Sequence, residues 1–144
     1  MQDTSGVHVW LVLMKAYHAL AARAEESLNL GETGLGDSDF RVLEALLNKG
    51  PLPVNTIGPK VWLTPGSISV AVDRLERRKL VKRRTTDDRR VRRVELTAKG
   101  RELVAKTFEK HAATMEKANS LSKEERLKLL ELLKKLGKGT QDRS

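Results

Sequence analysis

Thr64-Pro65-Gly66-Ser67-Ile68-Ser69-Val70-Ala71-Val72-Asp73-Arg74-Leu75-Glu76-Arg77-Arg78 is the stretch that decides the fold. Thr64 is suited to an N-cap, its hydroxyl accepting from a free backbone N–H of the first turn. Pro65 follows at the first helical position, where a missing N–H is harmless. At 100° per residue Ile68, Ala71, Val72 and Leu75 form one stripe. The opposite face carries Gly66, Ser69, Val70, Asp73, Arg74 and Arg77, with Ser67 at its edge. Small residues let such a helix sit deep in a DNA major groove, and arginines can then reach base edges or phosphates. An ordinary surface helix kept soluble by arginine shares this pattern, so the neighbouring sequence has to decide.

Downstream, Val81 to Arg84 and Val91 to Leu96 read as two short strands around the turn-like Thr85-Thr86-Asp87-Asp88. From Lys82 to Arg93 there are seven basic and two acidic residues. A one-sign ribbon beside a small-faced helix suits a phosphate backbone, whose neutralisation releases counterions. Upstream, a helix is expected over Asp37–Lys49, with Phe40, Leu43, Leu46 and Leu47 inward and Gly50-Pro51 as its stop. Pro53 opens a short third helix through Val54, Ile57 and Val61, and Trp62-Leu63 turns the chain into the Thr64 helix. That order is the one expected of a helix-turn-helix.

The outer segments read as helices. Ser5 to Leu28 holds no proline and is apolar nearly all round, through Val7, Trp10, Leu11, Met14 and Leu20 on one side and Val9, Val12, Leu13 and Ala16 on the other. Such a surface must be covered, by a second subunit or by burial within the monomer. Thr97 is placed to cap a helix reaching about Ser120. Ser122-Lys123-Glu124-Glu125 is a capping box opening a last helix, with leucines 127, 130, 133 and 136 along one face and its end at Gly137. These helices are expected to form a dimerisation platform.

At 144 residues the chain has room for one domain, and its net charge of +9 and pI near 10.0 point to an anionic partner. With no Cys there is no disulfide, thiol chemistry or thiolate metal site. The apolar run Val7 to Met14 lacks a basic leader and is too short to span a bilayer, so a cytoplasmic protein without membrane contact is expected. His8, His18 and His111 are scattered and show no metal-ligand spacing. No nucleophile constellation or phosphate-cradling glycine loop stands out, so neither enzyme, cofactor nor metal is expected. Low aromatic content argues against single-strand binding.

At this point the sequence resembles the MarR-type (multiple antibiotic resistance regulator) winged-helix regulators. The resemblance is carried by Phe40-Arg41-Val42-Leu43, Leu63-Thr64-Pro65-Gly66-Ser67-Ile68, Val72-Asp73-Arg74-Leu75-Glu76, the wing signature Asp88-Arg89-Arg90 and the exit Val94-Glu95-Leu96-Thr97-Ala98-Lys99-Gly100. It implies a mainly α fold with a small β-hairpin wing (α+β), a winged helix-turn-helix over residues 36–98. It further implies a helical dimerisation region over 1–35 and 99–137, with 138–144 a flexible tail. It also implies a homodimer on a pseudo-palindromic double-stranded operator. Arg90 falls on the wing-tip position that enters the minor groove, held by Asp88. Arg84 and Arg89 are expected near phosphates, and Ser67, Ser69, Val70 and Arg74 on the recognition face, with Thr64 and Arg77 beside them.

Family members commonly repress and are released by small aromatic or phenolic ligands bound between platform and winged helix. Here Trp10, Met14, Tyr17, Phe40 and Leu43 are candidates for that role or for plain core packing. The stretches Gly50 to Val54 and Val70 to Asp73 are somewhat similar to quinone- and phenol-responsive members. Two departures stand out. Lys79 occupies a position where the family usually has a left-handed Gly, and Pro59 within a helix requires the first turn or a kink. A non-specific basic architectural protein is the alternative function.

Overall fold

The computed structural model describes residues 1–28, 33–85 and 92–141. The chain runs α1 (Gly6–Leu28), α2 (Asp37–Lys49), β1 (Leu52–Pro53), α3 (Val54–Lys60), α4 (Pro65–Arg77), β2 (Val81–Thr85), β3 (Arg92–Leu96), α5 (Ala98–Ala118) and α6 (Lys123–Gln141). It is a mainly helical fold with a small antiparallel sheet, the expected winged helix-turn-helix plus helical platform.

Local chemistry sets the boundaries. Asp37 and Asp39 lie in the first turn of α2, where they oppose the positive helix end. Gly50 closes that helix at φ 76°, its N–H bonding the Leu46 carbonyl. Thr64 and Thr97 cap α4 and α5, accepting from Ser67 and Gly100 backbone N–H groups. Ser122 and Glu125 form the capping box of α6 in both directions, at 3.2 and 2.9 Å.

The sheet has the order β1-β3-β2. Leu52 pairs with Val94, and Val81 with Leu96, in antiparallel register. The two-stranded hairpin expected from sequence thus gains a third, two-residue strand. Its proline sits on the sheet edge, where a missing N–H interrupts no ladder. Pro59 lies in the last turn of α3 rather than the first, one residue before that helix ends. α6 also differs from expectation. It passes through Gly137 and Gly139 to Gln141, so most of the tail expected to be flexible continues the helix.

One core joins α2, α3, α4, the sheet and α5. Leu35, Val42, Leu43, Ile57, Val72, Leu75, Leu80, Val94 and Val104 have no measurable solvent exposure. The joint between α4 and α5 fixes how the wing leaves this core. Lys79 adopts φ 60°, in the left-handed position usual for glycine. Its N–H bonds the Glu76 carbonyl and the Leu80 N–H bonds the Leu75 carbonyl, both at about 3 Å. This is a Schellman ending, sealed by the buried pair Leu75 and Leu80. The Leu80 carbonyl accepts from Thr97 N–H and the Lys79 carbonyl from the Thr97 hydroxyl. Gly100 presses against the same Leu80 carbonyl so closely that a β-carbon there would overlap the oxygen.

The outer helices are solvated. Every residue of α6 from Leu127 to Thr140 is exposed, six leucines among them. In α1, Val7, Val9, Trp10, Leu11 and Val12 are exposed as well. Between the two lies an apolar cleft of about 440 Å³, lined by Val9, Val12, Leu13, Leu129, Leu132 and Leu136 among others.

Two substitutions test the joint. Gly100→Ala is expected to destabilise the fold by about 3 kcal/mol or more through backbone overlap. Lys79→Gly is expected to stabilise it by about 1 kcal/mol by relieving the left-handed residue. Urea unfolding at fixed protein concentration measures both, and a neutral Gly100→Ala would refute the close approach.

Candidate nucleic-acid interface

The exposed face of α4 is built from its own helical register. Ile68, Ala71, Val72 and Leu75 are buried, as their spacing predicts, which turns Gly66, Ser67, Ser69, Val70 and Asp73 to solvent. The Thr64 hydroxyl accepts from Ser67 N–H at 3.1 Å and donates to Ser67 Oγ at 2.9 Å. One hydroxyl therefore fixes both the first turn and the Ser67 rotamer. Ser38, Leu63, Thr64, Gly66, Ser67, Val70, Ala71 and Arg74 line a shallow groove along the leading end of this helix.

The arginines divide into two groups. Arg74, expected on the reading face, is bound to α2. Its Nε lies 3.1 Å from both carboxylate oxygens of Asp39, and Nη2 adds a third bond. The Asp39 side chain is 5% exposed and that of Arg74 47%, so the pair joins a buried carboxylate to a half-solvated cation. Hydrogen bonding to Asp39 raises the Arg74 pKa above its ordinary value, with burial opposing. Arg74 thus positions α4 on α2 before it can contact anything else.

Arg83 ties the wing to the same helix, donating to Asp73 at 2.7 Å and Glu76 at 2.8 Å. Its hydrogen bond to Asp73 raises its pKa in the same way, against the effect of burial. The sequence reading counted Arg83 only as part of a basic ribbon. Its spacing from two acids on the helix was the available signal. Arg78 donates to the carbonyls of Gly34 and Thr33, holding the loop before α2.

The remaining cations face water. Arg84 and Lys82 lean on Glu95 at 3.4 and 3.3 Å, both largely exposed, so these contacts hold them weakly. Among the described residues, the guanidinium groups of Arg77, Arg92 and Arg93 have no hydrogen-bond or ion-pair partner, and all three are exposed. Asp88, Arg89 and Arg90 lie outside the described residues.

The candidate effector residues separate. Leu43 is fully buried in the core, and Phe40 is buried with its ring 5.2 Å from that of His111. Trp10 and Tyr17 are exposed and Met14 half-buried on α1. Only Tyr17 lines the cleft of about 350 Å³ between α1, α2 and α5, with Leu20, Ala21, Ala24, Glu25, Asp37, Arg41, His111 and Met115.

Sequence reasoning passed over the polar groups of this cleft. The Ser27 hydroxyl donates to Ala24 O at 2.6 Å and lies 2.7 Å from His111 Nδ1. With its one proton committed, Ser27 accepts from Nδ1, which leaves Nε2 the acceptor in the neutral ring. Arg41 donates to the Val61 carbonyl at 2.8 Å and pairs with Asp37 at 2.9 Å, while its Nε is buried without a partner. The Ser27–His111 and Arg41–Val61 contacts are long-range, which is why local patterning did not mark them.

Comparison with known proteins agrees with this geometry. Residues 33–91 match the sequence profile of the MarR family. The HTH-type transcriptional regulator MhqR of Bacillus subtilis is 35% identical over 131 residues, covering 90% of this chain and 89% of that protein. The uncharacterized HTH-type transcriptional regulator YkoM of the same organism is 37% identical over 108 residues, covering 74% and 70%. A MarR family protein from Bacillus stearothermophilus superposes with a TM-score of 0.75 at 27% identity, over 98% of this chain and 99% of the other.

The two classes of arginine predict different phenotypes. Arg74→Ala strands the Asp39 carboxylate and is expected to destabilise the fold by about 2 kcal/mol. Arg77→Ala is expected to leave stability unchanged while lowering the salt dependence of DNA binding by about one unit of slope. Thermal melts beside salt-titrated fluorescence anisotropy separate them, and the reverse pattern would overturn the assignment.

Proposed function

The chain belongs to the MarR family and is a DNA-binding transcriptional regulator, and from that premise we propose that it acts as a homodimeric repressor released from a pseudo-palindromic operator by a small aromatic or phenolic ligand. The observation that carries the dimer is the unburied apolar surface of α1 and α6. Exposed leucines along most of α6, facing a cleft lined by α1, suit a second copy of the same two helices. Residues 1–35 and 99–137 then serve dimerisation and 36–98 reads DNA, in a protein working in the cytoplasm. Among the described residues, no helix is long and apolar enough to cross a membrane.

In this reading the two α4 helices enter successive major grooves about 34–36 Å apart. Thr64, Ser67, Ser69 and Val70 lie nearest the bases. Arg77, Arg84 and Arg89 neutralise phosphates, and Arg90, steadied by Asp88, enters the minor groove. Arg74 supports the helix through Asp39. The small neutral face favours sequence-specific reading over non-specific basic binding, which would rely on charge alone.

The cleft between α1, α2 and α5 supports the ligand reading. It offers Tyr17 and apolar walls, His111 as an acceptor and the Arg41 guanidinium as a donor group. An aromatic ring bearing a phenolic or acidic oxygen matches that set. Because Arg41 also holds the Val61 carbonyl at the end of α3, a ligand drawing on Arg41 would pull on the turn that leads into α4.

The deciding experiment is anisotropy titration of the duplex upstream of the protein's own gene against a scrambled duplex. A preference of about a thousandfold or more is expected. Equal and steeply salt-dependent binding to both would favour the architectural reading. Leu133→Glu in the exposed face of α6 is expected to yield monomers by sedimentation and to lose operator binding. Monomers that retain full affinity would refute the dimer.

A further inference from the structure

Trp62 occupies the turn between α3 and α4 at φ 61°, and it is 82% exposed. Each fact alone is unfavourable. A bulky side chain in the left-handed region is strained, and turns of this kind commonly use glycine. A large aromatic ring in water also forgoes burial. Among the described residues no side-chain hydrogen bond compensates, and the turn itself is held by the backbone bond from Leu63 N–H to Gly58 O at 2.9 Å. Strain of this kind persists where the surroundings fix it, and it concentrates at functional positions.

Its surroundings indicate the occupant. Trp62 precedes the α4 cap, Thr64, by two residues, so it stands at the leading end of the recognition helix. It borders a cleft with Arg41, Glu44, Asn48, Lys49 and Lys60. Three cations face one carboxylate there, and Lys49 and Lys60 are exposed with no ion-pair partner among the described residues. Asp37 is already paired to Arg41. An indole carries an apolar face and a single N–H donor. Together with two free ammonium groups it matches a phosphodiester backbone, in which apolar deoxyribose alternates with anionic oxygen.

We propose that Trp62 is a DNA-backbone contact, its ring lying on deoxyribose and its Nε1–H donating to a phosphate at the edge of the groove that α4 enters. The contact is sequence-independent and fixes the register of the recognition helix. It rests on the DNA-binding reading and adds a residue that charge and helix-face arguments did not select.

The chain contains two tryptophans, so Trp10→Phe leaves Trp62 as the sole indole reporter. Acrylamide quenching of this variant, free and saturated with operator duplex, reads the contact directly. Strong protection on binding is expected. Unchanged quenching in the bound state overturns the proposal, as does protection that grows with protein concentration in the absence of DNA, which would place Trp62 against a second copy. The second variant is Trp62→Gly, which removes the ring while easing the backbone and so folds at least as well. It is expected to weaken binding about tenfold to operator and scrambled duplex alike, and undiminished affinity overturns the contact. The two readings fail separately. Wild-type protein without operator preference refutes specific recognition, yet protection of Trp62 on both duplexes would still uphold the backbone contact.

Discussion

The Leu80 carbonyl is where the recognition helix, the wing and the platform meet. It accepts the Thr97 N–H and abuts Gly100, while the Leu80 amide closes α4. Three elements are therefore referred to one residue. A side chain on residue 100 would push α5 away, and a different ending of α4 would rotate β2 out of register. The left-handed Lys79 is the strained residue of this joint. Its backbone bonds and the burial of Leu75 and Leu80 outweigh about 1 kcal/mol of conformational strain.

A second layer of order comes from charge. In a chain with a net charge of +9, several arginines bind the protein itself. Arg74 reaches back to α2, Arg83 joins wing to helix, Arg78 holds the loop ahead of α2, and Arg41 spans α2 and the end of α3. Each rigidifies a surface that must meet a stiff duplex. The arginines of α4 and the wing that lack internal partners among the described residues, Arg77, Arg92 and Arg93, are left open to an anionic partner. Net charge thus overstates the electrostatic footprint.

Much of this was legible from local sequence. Capping residues, the stop at Gly50-Pro51 and the stripe of Ile68, Ala71, Val72 and Leu75 act within a few residues of where they stand, so their spacing predicts them. The leucine-rich face of α6 was visible for the same reason. Long-range partnerships were not visible. The Asp39–Arg74 pair spans thirty-five positions and the Ser27–His111 contact eighty-four. Nothing in either neighbourhood signals the other. The two-residue strand β1 is too short for periodicity, and Gly137 suggested a stop to α6 that the surrounding lysines and leucines override. Trp62 was read as part of a turn, since only the backbone angle reveals that an aromatic ring occupies a position suited to glycine.

The small, uncharged leading part of the outer face of α4 has a consequence for how such a regulator can change. Among the described residues Ser69 and Val70 support no cap, no ion pair and no core contact, because Thr64, Asp39 and the buried stripe do that work. In the proposed reading, where this face meets the bases, replacing them alters what the helix offers to a base edge, such as a methyl group for thymine or a hydroxyl for either partner of a pair, without loosening the fold. Operator preference can therefore drift by single substitutions at almost no penalty in stability. Duplicated copies of the gene could acquire separate targets while every structural tie described above is kept intact.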